Sequence, residues 1–149
     1  MRMLSDDLGQ SMVELALLLP VLVFGLIGGA DLARAYALQL AVQNGARAGA
    51  EAFAIDQAKN AQQAVQRAKD EMGRTPGMSC DLAHQCLVSI NWPPGATTDG
   101  SSCTVSPPTV DDPCFVTVRV RYTFKTIIPW PIIPNTANFD RSTTMRIFY

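Results

Sequence analysis

Leu15 to Ala30 reads LALLLPVLVFGLIGGA, sixteen residues without a charge, and Met12 and Val13 extend it on the far side of a single acid, Glu14. At 1.5 Å per residue the uncharged stretch covers about 24 Å of a hydrocarbon core about 30 Å thick. That length fits a short membrane span, the core of a signal peptide or a buried helix. A removable secretory signal ends in a small-x-small cleavage site and a change of character. Here the helical pattern continues instead: DLARAYALQLAVQNGARAGAEAFAIDQAKNAQQAVQRAKDEMG, residues 31–73, is rich in strong helix formers, and no Pro follows until Pro76. The pattern predicts one helix from about Gln10 to Met72, roughly 95 Å long if unbroken. A helix of that length does not fit inside a domain of this size, so part of it must be embedded in lipid or in other subunits. Pro20 removes one backbone hydrogen bond within the apolar part, which membrane helices tolerate.

The rest of the composition agrees with a concentrated apolar segment. The chain has 149 residues, 48% of them hydrophobic and only 17% charged, with 12 Lys plus Arg against 13 Asp plus Glu for a net charge of −1. One domain is what that length supports. The charge balance gives no clustered basic surface with which to neutralise phosphates, so nucleic acid is not expected as a partner.

Two patterns mark surfaces of the helix. Gly25, Gly29, Ala33, Ala37, Ala41, Gly45 and Gly49 recur every four residues, beginning as GxxxG. Such a row lets helix backbones approach closely and is expected to serve helix packing, although a spacing of four drifts about 40° per step and winds round the helix. Further on, Ala54, Ala58, Ala61, Val65, Ala68 and Met72 form an apolar stripe opposite Lys59, Arg67 and Lys69. Gly73, Pro76 and Gly77 then end the helix.

Beyond Gly73 the chain turns to Pro, Gly, Ser and Thr, and three segments read as strands: Leu87 to Trp92, Phe115 to Phe124 and Thr143 to Tyr149. FVTVRVRYTF, residues 115–124, alternates Val116, Val118, Val120, Tyr122 and Phe124 with polar residues, the mark of a half-buried antiparallel strand. Its apolar face is expected to cover the Ala54 to Met72 stripe. Ile127 to Asn135, IIPWPIIPN, carries too many prolines for a central strand and reads as a connection. The fold class is therefore α+β: a long N-terminal helix, membrane-spanning in its first part, with a small C-terminal antiparallel sheet packed on its second half.

Cys80, Cys86, Cys103 and Cys114 are even in number and all follow the apolar segment, as expected for a part exported to an oxidising compartment. Three pairings are open. Cys80 with Cys86 and Cys103 with Cys114 is favoured, because both close short loops. Zinc is the alternative, since His84 lies between Cys80 and Cys86, but C-x3-H-x-C is not a common zinc signature and no metal site is expected. No P-loop, GxSxG or HExxH pattern occurs, and the single His has no nucleophile in an obvious pairing, so neither catalysis nor a cofactor is expected.

The junction ahead of the apolar run is Gly9, Gln10, Ser11, Met12, Val13, Glu14, Leu15. It resembles a class III (prepilin-type) processing site, in which a prepilin peptidase cuts after a Gly and an acid stands five residues beyond the cut. Taken with GQSMVELALLLPVLVFGLIGGADLARAY, with NGARAGAEAFA and with STTMRIF near the end, the chain resembles the TadE-like family, minor pilins or pseudopilins of tight-adherence (Flp, type IVb) pilus systems. The resemblance implies a pilin-like fold with a leader at 1–9, a transmembrane and assembly half of the helix at 10–30, an extracytoplasmic half at 31–73 and a Cys-containing β module at 74–149. It implies a structural role in pilus assembly, with processing at Gly9 and Gln10. The implied partners are prepilin peptidase, other pilin or pseudopilin subunits, the inner-membrane assembly platform and membrane lipid. The implied location is the inner membrane, crossed once with the N-terminus cytoplasmic and the module extracytoplasmic, or the extracellular pilus.

Glu14 has a physical reading beside the resemblance. A carboxylate in an apolar helix costs about 3 kcal/mol or more in lipid, so it marks a function and has a partner. After a cut behind Gly9, the new amine of Gln10 is a natural cation for it, in the same subunit or from a neighbour. A reading from another class is an uncleaved single-pass protein whose extracytoplasmic module binds a ligand or an envelope partner.

Overall fold

The computed structural model describes residues 4–80, 86–91, 110, 113–129 and 134–148, with the backbone path alone for 4–8 and 91. Helix α1, Leu4–Ala54, runs for 51 residues and holds Pro20 without ending there. The chain divides into two compact units, Met1–Ala35 and Tyr36–Tyr149. In the first unit the described residues are those of α1 alone.

In the second unit the predicted single helix is broken. Residues 55–60 leave the helix, and α2, Ala61–Gly73, follows with 13 residues. The cause lies in side chains that compete for the backbone. Asp56 adopts φ 59°, in the left-handed region that Asp reaches at low cost, and its carboxylate lies 2.6 Å from the Lys59 ammonium. The carbonyls that α1 leaves unpaired find other donors: the Ala58 amide binds Ala52 O at 2.8 Å, and the Phe148 amide binds Ala54 O at 3.3 Å. Asn60 then caps α2, its Oδ1 accepting from the Gln63 amide at 2.9 Å, while Gln63 Oε1 accepts from the Lys59 amide at 2.7 Å. The break resets the helical phase. Ala54 and Ala58 are buried as the stripe predicts, but on α2 the buried face is Ala64, Ala68 and Met72, with Ala61 and Val65 only half-buried.

This part of α1 and α2 lie in close contact because two glycines allow it. A methyl group added at Gly45 would run into the Met72 side chain, 2.9 Å from its sulfur, and would sit 3.0 Å from Ala68 O. One added at Gly49 would lie 3.1 Å from both Ala64 O and Ala68 Cβ, and 3.3 Å from Val118 Cγ1. The same residues thus join both helices to the sheet.

The sheet is antiparallel in the order β1 (Cys86–Asn91), β2 (Phe115–Lys125), β3 (Thr136–Arg146). On β2 the predicted alternation holds: Val116, Val118, Val120, Tyr122 and Phe124 are 0–7% exposed. Leu38, Val42, Ala46, Ala50 and Phe53 of α1 complete the core. β1 begins at Cys86, one residue before the predicted Leu87, and runs to Asn91; Trp92 lies outside the described residues. β3 does not match: it begins at Thr136 rather than Thr143, ends at Arg146, and pairs with all of β2 from Lys125↔Thr136 to Phe115↔Arg146. The early part, TANFDRS, is too polar to show a buried face, and its strand state comes from pairing with β2. The predicted connection, Ile127 to Asn135, joins the two strands and is closed by the Thr126 amide on Asn135 O at 3.0 Å; its residues 130–133 lie outside the described set.

Candidate functional site: the N-terminal helix

From Gln10 to Leu26 every residue of α1 is exposed within the chain. Large apolar side chains from Met12 to Leu26 stand 42–74% open, Leu17 and Leu26 among the most exposed. Leu and Val supply helix propensity and apolar area together, so the segment folds locally yet has nothing of its own to pack against. An exposed apolar surface of this extent marks a membrane or protein contact. The helix is long and apolar enough to cross a bilayer.

Glu14 interrupts that surface, and Gln10 lies one turn before it, its Nε2 donating to Glu14 Oε1 at 3.0 Å. The i, i+4 spacing makes the two side chains neighbours on the same face. Gly9 is also exposed, with open space where a side chain would stand. The proposed processing and assembly residues are therefore close together on an accessible part of α1, in its second and third turns. The charge that closes the apolar run, Asp31, is 5% exposed and its carboxylate lies 3.0 Å from Arg34 Nη1. Sequence reading passed over Asp31, although an acid ending an uncharged run of sixteen residues was the available signal.

The small-residue row falls into two parts. Gly25, Gly29, Ala33 and Ala37 are exposed, whereas Ala41, Gly45 and Gly49 are buried, the two glycines against α2 within the chain itself. Only the upstream members present open surface.

Cys80 and Cys86 form a disulfide with their Cα atoms 5.0 Å apart, the favoured pairing. Joined in this way, the two cysteines present no free thiol; His84 lies outside the described residues. Cys114 is disulfide-bonded as well, and its expected partner, Cys103, lies outside the described residues. Among the described residues no three His, Cys, Asp or Glu gather as a metal would require.

A polar cluster on the solvent side of the sheet also escaped the sequence reading. Asp140 takes two hydrogen bonds from Arg119, the Nε contact at 2.7 Å and a second from Nη2, and Arg121 Nε lies 3.6 Å away. The Arg119 hydrogen bond holds the Asp140 carboxyl below its ordinary range, burial opposes this, and the charges of Arg119, Arg121 and Arg141 add to the lowering. Thr117 and Thr144 hydroxyls meet at 2.7 Å on the same face, and Thr123 donates to Asn138 at 2.9 Å. These pairs zip β2 to β3 where no apolar contact does.

The chain thus combines a bare apolar stretch of helix, long and apolar enough to cross a bilayer, with a small disulfide-bonded α+β module. Residues 9–51 match the family model described as TadE-like protein, and they carry a TadE-like domain. The match begins at the junction glycine and takes in Glu14 and the whole small-residue row. That domain points to association with tight-adherence pilus systems. No curated protein and no solved structure matches the chain.

Proposed function

We propose that this chain is a minor pilin or pseudopilin of a Tad/Flp-type pilus, cut after Gly9 by a prepilin peptidase and assembled through its N-terminal helix. It acts as a structural component and not as an enzyme. It sits in the inner membrane with its N-terminus cytoplasmic until assembly, and its partners are the other pilin subunits and the assembly platform.

The observation that carries this reading is the contact of Gln10 with Glu14 at the start of an uncovered apolar helix. Hydrolysis of the Gly9–Gln10 bond adds water across it, leaving a carboxylate on Gly9 and an ammonium on Gln10. The amide nitrogen of Gln10 then becomes a cation within one helical turn of Glu14. A carboxylate that costs about 3 kcal/mol or more in lipid gains a counter-charge there, and repeated pairing between subunits sets their axial register.

Mass spectrometry of the protein recovered from membranes is the direct test. An N-terminus at Gln10 is expected, with Glu14→Gln leaving the cut in place but reducing incorporation into sheared fibres at least tenfold. An uncut N-terminus overturns the reading in favour of a single-pass anchored protein whose module binds an envelope partner. Normal incorporation of Glu14→Gln overturns the role given to the carboxylate.

A further inference from the structure

β3 is an edge strand whose outer side meets no other strand among the described residues. The register shows which backbone groups that side offers. Thr126 and Ile147 amides donate to Asn135 O and Cys114 O, at 3.0 and 2.8 Å, at the two ends of the β2–β3 ladder. In an antiparallel pair such hydrogen-bonded positions alternate, so the odd-numbered residues of β3 bond to β2 and the even-numbered ones turn their N–H and C=O outward. Thr136, Asn138, Asp140, Ser142 and Thr144 therefore present a row of outward groups about 6.8 Å apart. One is already answered by a side chain, since Arg141 Nη1 donates to Asp140 O at 3.1 Å.

Natural edges are normally blunted by proline, lysine, a bulge or an inward-pointing charge. β3 has no Pro or Lys, and its eleven pairs with β2 run without a bulge. Among the described residues it shows the last device: Arg141 stands opposite Val120, on the face that carries the core, and is exposed there. On that same face Phe139, Thr143 and Met145 are only half-buried, whereas their partners on β2, Tyr122, Val118 and Val116, are buried. Phe139 is held in place by stacking on Phe124 with ring centroids 5.9 Å apart. Among the described residues the core thus ends in an unfinished apolar shelf beneath an edge that no other strand pairs with, with one cation in its middle.

We propose that the outer edge of β3 accepts an extended segment of another polypeptide, with apolar residues at alternate positions to cover Phe139 and Met145 and a carboxylate placed opposite Arg141. Main-chain hydrogen bonds to the even-numbered residues supply affinity, as in other strand-addition complexes. Arg141 supplies selectivity: it repels or leaves unpaired any strand that brings no acid, and pairs with one that does. The site stands whether or not the chain is cut after Gly9, so its failure leaves the pilin reading untouched.

The test uses the full chain in detergent micelles and two synthetic ten-residue peptides that alternate valine with threonine, one with glutamate and one with lysine at the central valine-side position. Residue-resolved amide exchange is the readout. The glutamate peptide is expected to slow exchange at Asn138, Asp140, Ser142 and Thr144 at least tenfold while leaving the odd-numbered amides unchanged, and the lysine peptide to bind at least tenfold more weakly. Ser142→Pro deletes one outward donor, and it is expected to cut binding at least tenfold while the odd-numbered amides stay protected. Arg141→Glu, an exposed change that leaves the fold intact, should reverse the order of the two peptides. No protection of the even-numbered amides, equal binding of both peptides, or an order unchanged by Arg141→Glu overturns the proposal.

Discussion

Two stretches of one helix obey the same local rules and meet opposite fates. Between Met12 and Leu26 the large apolar side chains of α1 stand open, while Leu38, Val42, Ala46, Ala50 and Phe53, further along, are buried under α2 and the sheet. Both stretches are helical because Ala, Leu and Val dominate them and nothing in either breaks the hydrogen-bond ladder except Pro20. The difference is in what covers them. The second stretch is smaller in side-chain volume and alternates with polar residues, so one face suffices to bury it. The first is apolar all round, the pattern of a helix whose surroundings are lipid or other helices.

That contrast can be broken most severely at the glycines. Gly45→Leu drives a branched side chain into Met72 and the Ala68 carbonyl, and about 3 kcal/mol of stability is expected to be lost from the module. Gly25→Leu, with nothing within 4 Å, is expected to leave it unchanged. Thermal unfolding of both full-length variants in the same detergent, followed by circular dichroism, reads the difference. Equal melting temperatures would mean that the close helix approach is not what holds the second stretch.

A smaller effect tests the break that separates the covered stretch from α2. Asn60→Ala removes the side-chain acceptor of the Gln63 amide, and a loss of about 1 kcal/mol is expected in denaturant unfolding. Asn60→Asp should retain most of it. The smallest effect concerns the β2–β3 staple. A carboxyl whose folded pKa is lowered contributes fully above its unfolded value, near 4, and loses that contribution as pH falls through the folded value. The melting temperature is therefore expected to drop on acidification below about pH 4, and to drop less in Asp140→Asn. Identical pH profiles would remove Asp140 from the account.

These regions also differ in how legible they were in the sequence. The apolar run, the alternation of β2 and the Cys80–Cys86 link could be read directly, because each rests on a short-range pattern: charge-free length, a period of two, a short loop between cysteines. The turn at 55–60 was hidden inside an alanine-rich stretch. Asp56 and the Asn60-x-x-Gln63 box were the signal for it, and helix propensity on both sides outweighed them in the reading. β3 was legible only at its apolar end. Its first half is held by Arg119–Asp140 and Thr123–Asn138, pairs that join residues far apart in the chain and leave no local period. At the candidate site, the spacing of Gln10 and Glu14 sufficed to place them side by side. Which members of the small-residue row were open could not be read, since that depends on where α2 folds back.

The link between Cys80 and Cys86 has a mechanical consequence. It closes a seven-residue ring that begins a few positions after α2 ends and finishes on the first residue of β1. A pull on β1 is therefore transmitted to the foot of α2 through covalent bonds, and only afterwards to the six backbone pairs that β1 makes with β2. Under mechanical load, the shortest described strand of the sheet is the one fastened by a second covalent tie.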